Sequence, residues 1–198
     1  MSTPARKASV ERKTGETHVT VSINLDGTGQ SSITTGVGFL DHMLALLAKH
    51  SMFDLDIAAS GDHQVDDHHT VEDVGITLGQ AFDKALGEKK GIARFACTAV
   101  PMDEALARCS LDLSGRAYLV LDAKFPTQKV GSFDVELTGE FLQALAANAR
   151  MTLHVDVIRG DNSHHIIEAI FKSLARVLGA ATRTDPRRQD VPSTKGVL

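Results

Sequence analysis

The stretches "DDHHTVEDVGI" (66–76) and "NSHHIIEAIFK" (162–172) place one pattern, His-His-x-x-Glu, at the head of two apolar runs with helical spacing. A pattern written twice restricts the chain to folds that two similar halves can build. The flanking text repeats as well. "THVTVSINLDGTG" (17–29) alternates Val19, Val21, Ile23 and Leu25 and then turns at Asp26-Gly27, which reads as a half-buried strand entering a hairpin. "FLDHMLALLAKH" (39–50) sets Leu40, Met43, Leu44 and Leu47 at helical spacing, and "FDLDIAAS" (53–60) alternates again. After the loop "GDHQVDD", residues 68–86 carry Val71, Val74, Leu78, Phe82 and Ala85 on one stripe, closed by Gly87.

The second half keeps this order. "ARCSLDLSG" (107–115) is strand-like, "FLQALAANA" (141–149) helical, "MTLHVDV" (151–157) strand-like and "IRGDNS" a loop, and 164–178 is a helix closed by Gly179. "SINLDG" overlays "SLDLSG" at an offset of 88, "FDLDI" overlays "MTLHV" at 98, and the histidine pairs match at 96. We therefore expect an α/β (α+β) fold in one domain over 1–198. It comprises two pseudo-repeats, about 6–90 and 91–180, and a tail, 181–198. Two copies do not make a solenoid; they suit two similar sheets burying their apolar faces on a shared helical layer.

Several functional classes are disfavoured. Lys+Arg 21 against Asp+Glu 25 leaves no basic face for nucleic acid outside the tail. No run approaches the roughly 20 apolar residues of a membrane helix. "MSTPARKASVERKTG" lacks the core of a signal peptide, and Cys97 and Cys109 are lone cysteines without C-x-x-C spacing. A cytoplasmic protein with reduced thiols is expected.

Neighbouring residues on a helix diverge by about 100°, whereas residues three or four apart share a face. His69 with Glu72, and His165 with Glu168, are thus expected to form two-donor metal faces, leaving His68 and His164 to reach a second ion. The bland alternative is a pair of solvated helix starts with dipole-partner glutamates; its recurrence in register argues for ligands. Imidazole and carboxylate without thiolate suit manganese, iron, cobalt or zinc, and six-coordination with open positions leans to manganese. His42 and its counterpart Glu140, at offset 98, extend the donor set by symmetry.

"INLDGTG", "FLDHM", "DDHHTVED", "LDLSGR", "NSHHIIEA" and "PSTKGVL" together resemble the imidazoleglycerol-phosphate dehydratase family of histidine biosynthesis, from about residue 6 to 198. The resemblance implies a hydro-lyase converting D-erythro-imidazole-glycerol phosphate to imidazole-acetol phosphate. It implies two Mn2+ per active site, a homo-oligomeric shell of 24 subunits with metal sites between chains, and two four-stranded mixed sheets with helices between them. It assigns His42, His69, Glu72 and His164 to one ion and His68, His165, Glu168 and Glu140 to the other; many members have histidine at the last position. Substrate contacts would include Glu16, His42, His50, His68, Glu72 and His164. Phosphate would be met by Arg94, Arg116, Lys172, Ser193, Thr194 and Lys195. Lys172 also shares a helical face with 165 and 168. Read without the family, each of these arginines would be a solvated surface charge and the tail a frayed terminus.

The hydrogen removed is not next to a carbonyl, so an enolate cannot form. A ring held by metal through its nitrogens could instead react as an imidazolate that expels hydroxide. Glu16 is the expected acid–base residue, with Glu168 a further catalytic candidate and Glu104, at offset 88 from Glu16, a second carboxylate. A dinuclear phosphoester hydrolase and a metal-stapled structural shell are the competing readings.

Overall fold

The structure is a computed structural model that describes residues 6–198. The first half runs β1 (Lys7–Lys13), β2 (Thr17–Asn24), β3 (Ser31–Thr34), α1 (Gly38–Ser51), β4 (Asp54–Gly61) and α2 (His68–Leu86). The second runs β5 (Phe95–Met102), β6 (Ala105–Asp112), β7 (Tyr118–Asp122), α3 (Leu137–Asn148), β10 (Thr152–Arg159) and α4 (Ser163–Ala181). A small ribbon, β8 (Lys129–Val130) with β9 (Phe133–Asp134), is inserted between β7 and α3. That ribbon accounts for the step in offset from 88 to 98.

Both sheets have four strands and one topology, β1-β2-β4-β3 and β5-β6-β10-β7. In each, the first three strands are antiparallel neighbours and the fourth is parallel to the third. Period-two patterning drives this arrangement: Val19, Val21 and Ile23 of β2 and Leu55 and Ile57 of β4 are buried on one face. Ala107, Cys109 and Leu111 of β6 and Leu153 and Val155 of β10 do the same in the second sheet. The four helices fill the space between these faces. Helix α2 packs on β1 and β2 and along α3, while α4 packs on β5 and β6 and along α1. None of the helices is long and apolar enough to cross a membrane, among the described residues.

Two local expectations are corrected. Strand β2 does not enter a hairpin at Asp26-Gly27. Its hairpin partner is β1, before it, closed where the Thr14 N–H donates to the Thr17 carbonyl at 2.9 Å. The other side of β2 is taken by β4, so the chain must step across to reach β3. Asp54 holds that step by accepting from the Thr28 and Gln30 N–H groups at 2.8 and 3.1 Å. Nor does Gly179 end the last helix, which continues to Ala181. A Cβ there would lie 2.6 Å from the Ser51 carbonyl oxygen, so this glycine exists for close approach of α4 to α1.

The matching contact joins α2 to α3. A Cβ on Gly79 would meet Asn148 Cβ at 2.7 Å and the Leu145 carbonyl oxygen at 2.9 Å. Alanine's better helix propensity, about 1 kcal/mol, does not offset a clash with backbone. Gly79→Ala is expected to destabilise the fold by about 1–3 kcal/mol, the usual cost of overpacking, read as a lower denaturation midpoint with unchanged slope. A midpoint equal to or above wild type would refute the close crossing.

Candidate functional site

Both histidine pairs open a helix, and in both a side chain two residues before the first histidine accepts from its N–H, as the N-cap in α4 and from just before the N-cap in α2. Asp66 Oδ1 accepts from the His68 N–H at 2.8 Å, and Asn162 Oδ1 from the His164 N–H at 2.9 Å. Within each pair the rings stand at 85°, with centroids 6.2 Å apart in the first and 6.0 Å in the second. Adjacent histidines therefore face different neighbours, as helical geometry requires.

Which neighbours they face differs from the expected pairing. His164, not His165, meets Glu168, Nε2 to Oε1 at 3.3 Å; both spacings share a helix face, but His165 turns instead to Glu104. His42 of α1 reaches the same Glu168 oxygen at 2.9 Å. The donor atoms of His42, His164 and Glu168 all lie within 4.8 Å of one another. Within the single chain Glu168 thus lies beside His42 and His164, the two histidines that the resemblance gives to the other ion. His69 and Glu72 sit on α2, which packs along α3, so the set His42, His69, Glu72 and His164 is not gathered within one chain. His68, Glu72 and Glu140 do not converge within that distance among the described residues.

Glu168 is buried, and Lys172 Nζ donates to its Oε2 at 2.6 Å while also meeting Met102 Sδ at 3.0 Å. Burial pushes its carboxyl pKa up, but Lys172, His42 and His164 outweigh that and hold it at about 2. His50, further along α1, is pushed below the ordinary histidine range by burial, Lys172 and Arg176.

The second histidine of each pair turns to carboxylates outside its helix. His165 Nδ1 lies 2.7 Å from Glu104 Oε2, and His69 Nδ1 lies 3.0 Å from Asp62 Oδ2 and 3.8 Å from Glu16 Oε2. The hydrogen bond from His165 holds the Glu104 carboxyl at about 2, and Glu104 in turn raises the pKa of His165. His69 is raised likewise by Asp62.

The other cations gather elsewhere. A cavity of about 730 Å³ is lined by Arg94, Arg116, Arg188, Ser193, Thr194 and Lys195, among others. Arg94 is no solvated surface charge: it is only 12% exposed, donates to both Asp112 oxygens at 2.7 and 3.2 Å, and lies 4.4 Å over the Phe95 ring. Its Nη1 also donates to the Pro192 carbonyl at 2.7 Å, and Gly91 N–H to the Asp190 carbonyl at 2.9 Å, so the tail is pinned rather than frayed. Arg116 is the solvated one, with Asp112 at 3.7 Å. Sequence reasoning missed Arg188, Asp112 and Asp62. No spacing marks the first two, and Asp62 lies in the loop that is two residues longer than its copy.

A family model described as imidazoleglycerol-phosphate dehydratase matches residues 35–178. The chain belongs to this family. An imidazoleglycerol-phosphate dehydratase of Acetivibrio thermocellus is 60% identical over 193 residues, covering 98% of this chain and 99% of that one. One from Methylobacterium radiotolerans is 57% identical, covering 98% and 100%. The crystal structure of the Staphylococcus aureus dehydratase is similar at TM-score 0.81 and 45% identity, covering 90% of this chain and 99% of that one. The Pyrococcus furiosus enzyme, solved in complex with (S)-C348, gives TM-score 0.83 and 39% identity, covering 96% and 100%. As a member of the dehydratase family the chain is a hydro-lyase, and its fold is the family's.

A carboxylate whose folded pKa is depressed stabilises the fold above its unfolded value, 4.5, and loses that contribution as pH falls through about 2. In metal-free protein, the thermal stability gap between wild type and Glu168→Gln should therefore narrow from pH 5 to pH 3. A gap independent of pH would contradict the Glu168 environment.

Proposed function

We propose that the chain dehydrates D-erythro-imidazole-glycerol phosphate to imidazole-acetol phosphate in histidine biosynthesis, using two divalent cations, manganese by preference, at the paired-histidine helices. The observation that carries this reading is the convergence of His42, His164 and Glu168 on one point within 4.8 Å. Two imidazoles and one ionised carboxylate without thiolate fit a manganese-type ion. Three donors are short of six-coordination. This supports drawing further donors, among them His69, His165, His68, Glu72 and Glu140, from other subunits of a homo-oligomer, for which 24 copies is the family expectation. The same reading places the enzyme in the cytoplasm, in keeping with its free thiols Cys97 and Cys109.

His42, His164 and Glu168 would hold an ion there, which would supply Lewis acidity toward the nitrogens of the substrate ring. The residues of the chain do the rest. Glu168, held ionised by Lys172, is suited to donate electrons to a cation rather than a proton to substrate. Glu16 is exposed beside His69 and is our acid–base residue, taking the proton from the carbon next to the departing hydroxyl. The resulting enol tautomerises to the ketone. Arg94, Arg116, Ser193, Thr194 and Lys195 offer the phosphate a cationic cavity, with Arg94 preset by Asp112. Lys172 lies beside Glu168 at the metal end, and His50, about two turns further along α1, faces Lys172 and Arg176.

Purified protein supplied with manganese and substrate should form a product whose enol absorbs in alkali, without releasing phosphate; phosphate release would instead favour a hydrolase. Glu16→Gln should lower kcat by about 10²–10⁴ in an intact, metal-loaded particle. Unchanged turnover would remove Glu16 from the reaction. Arg116→Met should weaken inorganic phosphate binding roughly tenfold or more, since a charge-assisted hydrogen bond contributes about 1.5–3 kcal/mol, as read by calorimetry.

A further inference from the structure

Glu16 and Glu104 are copies of one residue. They lie 88 positions apart, and each directly precedes the inner strand of its sheet, β2 at Thr17 and β6 at Ala105. Yet the two carboxylates are used differently. Glu104 is fully committed: Oε1 accepts from the Asp161 and Asn162 N–H groups at 3.3 and 3.0 Å, and Oε2 from His165 Nδ1 at 2.7 Å. Glu16 makes no side-chain hydrogen bond among the described residues and is 57% exposed, 3.8 Å from His69 Nδ1. The place Glu104 takes beside His165 is taken beside His69 by Asp62, at 3.0 Å, which comes from the longer loop before α2.

An ionised carboxylate only accepts hydrogen bonds, so Nδ1 of each histidine must be the donor, which leaves the lone pair on Nε2. Metal-binding histidines are commonly fixed this way by an outer carboxylate. Asp62 keeps its other oxygen, Oδ1, buried without a partner, an arrangement that costs stability and points to a role beyond packing.

We infer that Glu104 and Asp62 are positioning residues that orient His165 and His69 for a metal ion, and that Asp62, by taking this place in the first half, leaves Glu16 free to meet substrate. The inference rests on the two-ion reading above. In one half the glutamate before the inner strand orients the histidine; in the other an aspartate of the loop before α2 takes that place, and the glutamate stays exposed.

The test is ion affinity, which a purely structural role would not move. Manganese is titrated into chelator-stripped protein, with free Mn2+ followed by its electron paramagnetic resonance signal and particle integrity by light scattering. Glu104→Ala and Asp62→Ala should each weaken manganese binding roughly 10–100-fold. Glu104→Gln, which keeps an acceptor oxygen for Nδ1, should recover part of the loss, and it replaces the alanine variant if that one fails to assemble. Glu16→Ala should bind manganese as wild type does. Wild-type affinity in Glu104→Ala, or in Glu104→Gln and Asp62→Ala together, overturns the inference and leaves the two-ion reading intact. So does a loss in Glu16→Ala equal to theirs, which would mean that Glu16 serves His69 as Glu104 serves His165. A wild-type protein that binds no manganese brings down the two-ion reading itself.

Discussion

Everything in this molecule is hung on two helix pairs that cross so closely that a side chain is missing at each crossing. Gly179 lets α4 lie on the Ser51 carbonyl of α1, and Gly75 and Gly79 let α2 lie on α3. The order of contacts, 42 with 168 and 51 with 179 in one pair and 75 with 144 and 79 with 148 in the other, means the partners run parallel. Their N-terminal ends therefore come out together, and His42 is delivered to Glu168 without any loop having to place it. A binding constellation carried on packed helices is held far more rigidly than one carried on loops. The sheets serve mainly to clamp these pairs from both sides.

Much of this was legible in the chain because duplication acts as its own control. Period-two alternation identified the inner strands β2, β4, β6 and β10, since each has one buried and one solvated face. The outer strands leave no such signal, because β1 and β5 are nowhere fully buried and β3 is short. Their existence follows from hydrogen bonds to a neighbour rather than from any apolar face. The histidine pairs themselves were plain, but their pairing was not. Three-residue and four-residue spacings both share a helix face, and sequence offers no way to know that Glu104 and Asp62 draw the second histidine aside. That decision is made by residues 61 and 7 positions away.

The two halves also show how a duplicated surface becomes specialised. At the place where the second half has Lys172 joined to Glu168, the first has Ile76. Where the first half runs straight on, the second inserts the β8–β9 ribbon. Tight topology in the sheets and a shared pattern at the helix starts coexist with divergence further along the helices and in the β7–α3 connection.

Arg94 shows what such chemistry asks of a backbone. It sits at φ +74°, in the left-handed region that favours glycine, where a side chain raises the energy by about 1–2 kcal/mol. Glycine would relax the chain there but abandon Asp112, the Phe95 ring and the Pro192 carbonyl together. Relief of the main chain and retention of the guanidinium are thus mutually exclusive at this position. Random drift toward a more stable main chain would run directly against the cationic lining of this cavity.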